Sequence, residues 1–534
     1  MPRAKNVRAL KTLCLRNIAV NMDGLWVPLG NGCPEVSNNQ ESHIPEYYSS
    51  PMTSVPDQAG QSGQSGQSGQ QQSDKDSCKV LCLCKDENED IIYGPFSDLT
   101  GDLVRDLMKT VREMGLMKKH YLGMFLLPQL QQLDLSLYET NDPVLRAIGD
   151  RCKNLKKLYL CWNAAVGASE LKYIICEATK LTHLNVAGTK CDDHVVDAIS
   201  RHCVELRDLD ISDCNVTNKG VLYLCGGHKP DNHRLKHLVR LNLTGTKVDN
   251  QGVRLVLKKM RSIRYLEHEW LWDILYDMHT PFEPEPPVED KQKLALMKVN
   301  FLGSLYTPVV NKAVDVLSAF CPYLTEVSIF GCGFDDQAMF KLAKLSNLKV
   351  FCLDGGRNMV TFRWGLLPFL HERGATLKEM SLTQITNLNI VEVSTYCINL
   401  EVLCLIDVST TVVNQVQPKE FLRELKQLEI RQHMRDLFGE DVLKFILKNC
   451  HNVLQVNLFS ITFISNAILS EVMNSNPLEK LEKITFDRSM GYTSDMIIKL
   501  IGHCRSLQCC HVADTAVRDA LLEHVQSNNY DLMV

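Results

Sequence analysis

The 534-residue chain has no uninterrupted run of the ~18 apolar residues that a membrane-spanning helix requires. Its one apolar stretch near the start is broken by Lys11 and Arg16, which argues against a signal peptide. Strong charge of either sign is also missing. With 58 basic and 63 acidic side chains the formal net charge is −5, so nothing electrostatic favours nucleic acid or an anionic membrane as a partner. There is no P-loop, no G-x-S-x-G and no H-E-x-x-H, and the histidines are scattered, so neither an enzyme nor a cofactor is expected. Cys78, Cys82 and Cys84 stand close together, but no second Cys or His pair follows at a spacing suited to four-ligand zinc, and no metal site is expected.

What the chain does have is repetition. The pattern L-x-x-L-x-L, with aliphatic substitutes, returns about fifteen times from Leu130 to Val512, mostly in steps of 23 to 29 residues. A period of that length is one strand plus one helix, a unit that cannot bury its apolar face alone and must stack on its neighbours. Between the strand motifs lie segments such as DDHVVDAISRHC and GEDVLKFILKNC, whose apolar residues recur at three- and four-residue spacing, as in amphipathic helices. The expected fold class is α/β, a solenoid, and its 45% hydrophobic content is ample for a continuous core.

Six repeats place Cys three residues before the leading apolar position: Cys152, Cys203, Cys321, Cys397, Cys450 and Cys504. Cys214 and Cys332 end two of the strand motifs. This resembles the cysteine-containing subfamily of leucine-rich repeats, over roughly three quarters of the chain. The resemblance implies a ribonuclease-inhibitor-like horseshoe with parallel strands inside and helices outside, in a subfamily many of whose members are substrate receptors of ubiquitin ligases. The 21 cysteines are an odd number. Free Cys packs as a small hydrophobe, so inert core thiols in a reducing compartment, cytosol or nucleus, are expected.

Four segments are distinguishable. Residues 1–28 form a short amphipathic stretch. Residues 34–77 read as a disordered Gln/Ser/Gly-rich tether, because they have almost nothing to bury. Residues 78–128 hold a hairpin over Cys78–Tyr93 and then two capping helices over 99–127, with Asp98 or Thr100 as N-cap and Gly115 as the break. Residues 129–534 are the repeats, interrupted at about 268–293 by a stretch whose Pro-rich acidic part must leave the surface as a loop. Trp270, Trp272 and Phe282 there are either partner contacts or local packing.

Ala9, Leu10, Cys14 and Ile18 in ALKTLCLRNI match an elongin-C-binding box. Leu10, Cys14 and Ile18 fall at i, i+4 and i+8, one narrow helical stripe that suits a groove on a partner or, equally, packing on the solenoid's first turn. Leu99, Leu103 and Leu107 resemble a cullin-2 box, with Thr100 where that box has Pro, and are equally readable as the inward face of a capping helix. Box, box-like helix and repeats in this order resemble the zyg-eleven family of cullin-2 receptors. That resemblance implies elongin C, with elongin B, and a cullin-2-type scaffold as partners of a non-catalytic ligase subunit. The armadillo-like block of that family, to which its degron recognition belongs, has no counterpart here. The alternatives are an F-box receptor, of which GPFSDLTGDLVRDLMKTV matches a fragment, and a protein-binding scaffold with no ligase attached.

A protein substrate is expected on the concave strand face, where alternation turns the residue between the last two apolar positions outward. Tyr159 and Asp210 occupy that position, and Phe330, Ile406 and Phe459 lie two residues further along their strands. Exposed apolar groups gathered on one surface would make a protein-binding patch.

Overall fold

Side chains alternate across a strand, so the second and third apolar residues of each motif must point the same way, and the first must turn in from the preceding loop. A computed structural model describes residues 7–20, 96–117, 121–138, 142–227, 235–279, 293–302, 312–330, 333–355, 359–411, 421–433, 437–489, 491–528 and 532–533. All fifteen leading positions, from Leu130 to Leu507, are buried. The strands that follow them are β1 Gln132–Asp134, β2 Lys157–Tyr159, β3 His183–Asn185, β4 Asp208–Asp210, β5 Arg240–Asn242 and β6 Tyr265–Glu267. They continue as β7 Lys298–Leu302, β8 Glu326–Phe330, β9 Val350–Asp354, β10 Glu379–Thr383 and β11 Val402–Ile406, then β12 Gln427–Arg431, β13 Gln455–Phe459, β14 Lys483–Asp487 and β15 Cys509–Val512. β1 to β6 form one parallel sheet and β7 to β15 a second, each in sequence order.

Parallel neighbours require a crossover, and a helix supplies nearly every one. Asp193–His202 is representative. The Asp192 carboxylate accepts the N–H groups of His194 and Val195 at the N-terminus, and Val195, Val196 and Ile199 form the buried face. Its end explains the cysteines. Cys203 N–H donates back to Ile199 O at 3.0 Å, and Cys203 C=O accepts from Leu206 N–H at 3.1 Å. The buried turn between helix and strand takes an apolar side chain, Cys here and Met260 in a later repeat, where the same two bonds recur. Cys397 and Cys504 repeat both bonds, and all six repeat cysteines are buried.

At the N-terminal end, helix Gly101–Glu113 closes the solenoid with Val104, Leu107, Met108 and Val111. Arg112 ties it to the first repeat by donating to Asp134 O and Ser136 O. Thr100 is its N-cap residue, and Gly115, at φ +68°, ends the turn after it. The second capping helix is a single turn, Leu122–Phe125, and Phe125 stacks on Phe96 at 5.4 Å. Helix Val7–Val20 lies against Gly101–Glu113 and buries Leu15 and Ala19. The expected tether and the hairpin over Cys78–Tyr93 lie outside the described residues.

Part of the expected interruption is regular repeat. Leu271–His279 is the crossover helix of its repeat, burying Leu271, Trp272, Ile274 and Leu275 at helical spacing, so the repeat pattern runs on through His279, and residues 280–292 lie outside the described residues. Trp272 is core, its ring 4.6 Å from that of Phe301, whereas Trp270 is 49% exposed. Phe282 lies outside the described residues. Here the two sheets part: Met297 N–H reaches Arg264 O at 2.8 Å, but β6 and β7 do not pair as a ladder.

Candidate functional site

On the sheet's open face, the side chains between the buried positions form rows that run from strand to strand. Tyr159 pairs in register with Asp134 and with Asn185, which in turn pairs with Asp210. Burial, with Asp208 and Asp134 nearby, pushes the Tyr159 phenol up from its ordinary value. Asp210 is engaged within the fold. Its Oδ1 accepts the N–H of Ser212 at 3.0 Å and the Ser212 hydroxyl at 2.6 Å, and its Oδ2 accepts from Asn185 Nδ2 at 3.1 Å. Asp134, Asn185 and Asn242 accept the N–H two residues ahead in the same way. These are turn-forming side chains at strand exits, a role marked in the sequence by Asp or Asn recurring at one repeat position.

Phe330, Ile406 and Phe459 do stand on the open face, but not together. Register runs Asp354, Thr383, Ile406, Arg431, Phe459, Asp487 across β9 to β14. Ile406 and Phe459 therefore flank Arg431, whose guanidinium sits 4.3 Å from the Phe459 ring centre. Phe330, 40% exposed, is on β8, three strands from Ile406, or roughly 14 Å at ~4.8 Å per strand. The three residues thus stand as an Ile406–Arg431–Phe459 row with Phe330 three strands away. Strand alternation is visible in sequence, but which rows a charged residue interrupts depends on register.

The open face of the first sheet is polar. Arg240 packs 4.4 Å over the Tyr265 ring and lies 3.7 Å from Asp208 Oδ2. Burial raises the Asp208 carboxyl above the usual carboxylate range, opposed by Arg240, and burial followed by Lys157 lowers the His183 imidazole.

At the adaptor end, Cys14 is exposed while Ile18 is half-buried against the core. The side chains of Ala9 and Leu10 lie outside the described residues. Leu99 and Leu103 are half-buried and Leu107 is wholly enclosed, so Leu107 offers no surface in this arrangement. Among the described residues no group of three or more His, Cys, Asp or Glu side chains is arranged to hold a metal ion, and no helix is long and apolar enough to cross a membrane.

A family model described as "Leucine Rich repeat" matches residues 202–225, the segment from the end of one crossover helix to the end of the next. Three solved structures are similar to the chain. An internalin from Listeria monocytogenes is 14% identical over 80% of this chain and 96% of its own, with a TM-score of 0.30. A chain of the yeast Rad7 and Elc1 complex is 15% identical over 78% and 90%, with a TM-score of 0.45. A chain of the mouse RP105/MD-1 complex is 12% identical over 78% and 80%, with a TM-score of 0.40. With a repeat match at 202–225 and parallel strands nearly all followed by a helix at the same period, the chain is a leucine-rich-repeat solenoid.

Proposed function

We propose that this chain is the substrate-recognition subunit of a cullin-RING ubiquitin ligase of the cullin-2/elongin BC type, with the solenoid holding a target protein and the N-terminal helix docking elongin C. It would contribute no catalytic residue. Its mechanism would be proximity, since a target held near the ubiquitin-delivering machinery meets it in an effectively intramolecular encounter. We assign it to cytosol or nucleus, where the buried thiols stay reduced.

The observation that carries this reading is the seating of helix Val7–Val20. It attaches to the cap through Leu15 and Ala19, while Cys14, the middle residue of the box pattern, remains exposed. Packing against the cap thus leaves the centre of the box free. Leu99 and Leu103, and not Leu107, are the residues a cullin would meet.

Co-purification of elongin C with the full chain tests the reading. Leu10→Ala with Cys14→Ser should abolish it while leaving the thermal midpoint of the solenoid unchanged. Leu15→Ser should instead lower the stability of the cap. Retention of elongin C by the folded double variant would leave a protein-binding scaffold without a ligase as the reading to keep.

A further inference from the structure

Where β6 and β7 part, the open face holds a cavity of about 200 Å³ whose walls include Thr244, Tyr265, Glu267, Glu269, Lys298 and Asn300. Its floor departs from the repeat. His268, 8% exposed, stands where other repeats bury an aliphatic side chain, with its ring Nε2 3.1 Å from Val248 O and its Nδ1 accepting Trp270 N–H at 3.2 Å. Both ring nitrogens are thereby engaged, and the imidazole is a fixed part of the fold.

The polar atoms of the walls are mostly acceptors. Glu267 Oε1 is 3.7 Å from Lys298 Nζ, too far for a direct hydrogen bond, so that carboxylate keeps its accepting capacity. Glu269 uses Oε1 to receive Gly245 N–H, and its Oε2 lies 4.0 Å from His268 Nε2. Asn300 Oδ1 is buried and meets no donor among the described residues. Nothing pins the amide through that oxygen, and a turn about its last torsion would present an acceptor to a cavity ligand. A buried acceptor without a donor is destabilising, so a ligand that brings a donor gains by satisfying it.

Two carboxylates against one ammonium exclude an anion, and an apolar side chain would strand these acceptors. A cation with several donors in one plane fits them, and the aromatic wall separates the two natural cations. Guanidinium is planar, weakly hydrated and packs on rings, whereas ammonium is compact and strongly hydrated. The Tyr265 ring already carries the guanidinium of Arg240, whose counter-charge is Asp208 3.7 Å away, so a ligand packs on the part of the ring that faces the cavity.

We propose that this cavity is a binding site for an arginine side chain of a protein partner. The proposal rests on the target-binding half of the function above and not on the adaptor half. Saturation-transfer NMR on the full chain, with acetyl-Gly-Arg-Gly-amide and its lysine counterpart as probes, tests it. Saturation should reach the arginine side-chain methylenes, and the lysine peptide should bind more weakly. Glu267→Gln should weaken the arginine peptide by roughly tenfold, the worth of about one charge-assisted hydrogen bond. Lys298→Met, which removes the resident cation, should tighten it, and this second variant keeps the test decisive if Glu267→Gln fails to fold. No transfer to the arginine peptide, equal binding of the two peptides, or weaker binding by a folded Lys298→Met variant would overturn the assignment. Elongin C co-purification from the same preparation reports on the adaptor separately.

Discussion

The cysteines show how much one residue position can carry. At the helix-to-strand turn the side chain is apolar and buried while the backbone bonds in both directions, and Cys meets these conditions, as Met260 does in its own repeat. Burial in turn pushes the thiols of Cys152, Cys203, Cys321, Cys397 and Cys504 up to about 12. A folded-state pKa above the unfolded value of about 9 means that the unfolded chain ionises first. The corresponding stability is complete below pH 9 and lost progressively from there to about 12. We predict that the thermal midpoint falls steeply above pH 9, and that replacing these cysteines by Ala flattens the fall even though it lowers the midpoint at pH 7. In the folded protein at pH 8, iodoacetamide should modify Cys14 and spare these five. Rapid loss of all six thiols would mean that the repeat turns open to solvent.

Nine repeats also contain a device that no hydrophobic pattern reveals. Two residues after the last buried strand position, the backbone takes a left-handed turn at Leu137, Trp162, Gly188, Asp213 and Gly245, and again at Gln384, Asp407, Ser460 and Arg488. This turn aims the N–H at the next repeat: Leu137 to Cys161 O, Trp162 to Ala187 O, Gly188 to Ser212 O, and Asp407 to Arg431 O, all at 2.8–2.9 Å. The ladder thus continues past the strands. At Gly188, φ is +64° and an added Cβ would come within 2.6 Å of Trp162 Cε3. Gly188→Ala should therefore cost about 1–2 kcal/mol for the left-handed backbone, plus the displacement of the indole, measured by urea denaturation. Helix starts are coupled in a comparable way. Asp193 Oδ1 accepts from Thr217 N–H at 2.8 Å and Gly220 N–H at 3.0 Å, and its Oδ2 from the Thr217 hydroxyl at 2.7 Å. Asp193→Ala should cost about 1–3 kcal/mol, because it leaves two N–H groups and a hydroxyl at a helix N-terminus without their acceptor. A loss below a few tenths would show that water replaces the carboxylate.

Over the whole molecule, stability in a solenoid is a sum of repeats and nearest-neighbour interfaces, so the weakest interface decides where it opens. That interface is the seam between β6 and β7, which Met297 N–H bridges to Arg264 O and where the strands do not form a ladder. Amide hydrogen exchange in β6 and β7 should be faster than in β3 or β11, which are paired on both sides. Equal protection along the array would mean that Trp272 and Phe301 make up for the missing pairing by packing alone. Much of this architecture is legible in the chain. The fifteen leading apolar positions, the crossover helices and the buried cysteines follow from periodicity, because burial of one face is a local requirement repeated at every unit. The candidate site is less so. Asp210 reads as an open carboxylate until the turn it forms is seen.

Sequence alone determined that this chain stacks strand–helix units, in which order, and with which side chains inward, since a repeat that buries its leucines has one way to do so. It also marked the box pattern at Leu10, Cys14 and Ile18, because helical spacing is a property of neighbours in the chain. Tertiary structure decided everything that depends on register between units. It placed Arg431 between Ile406 and Phe459, used Ile18 in part for packing while leaving Cys14 exposed, and enclosed Leu107. It also opened the acidic cavity at the β6–β7 seam, whose walls come from β6, β7 and the exits of β5 and β6. The physical reason is the same in each case. Hydrophobic periodicity states which face a residue occupies, while a binding surface is made by residues about 25 positions apart, and only the stacked ladder determines which of them touch.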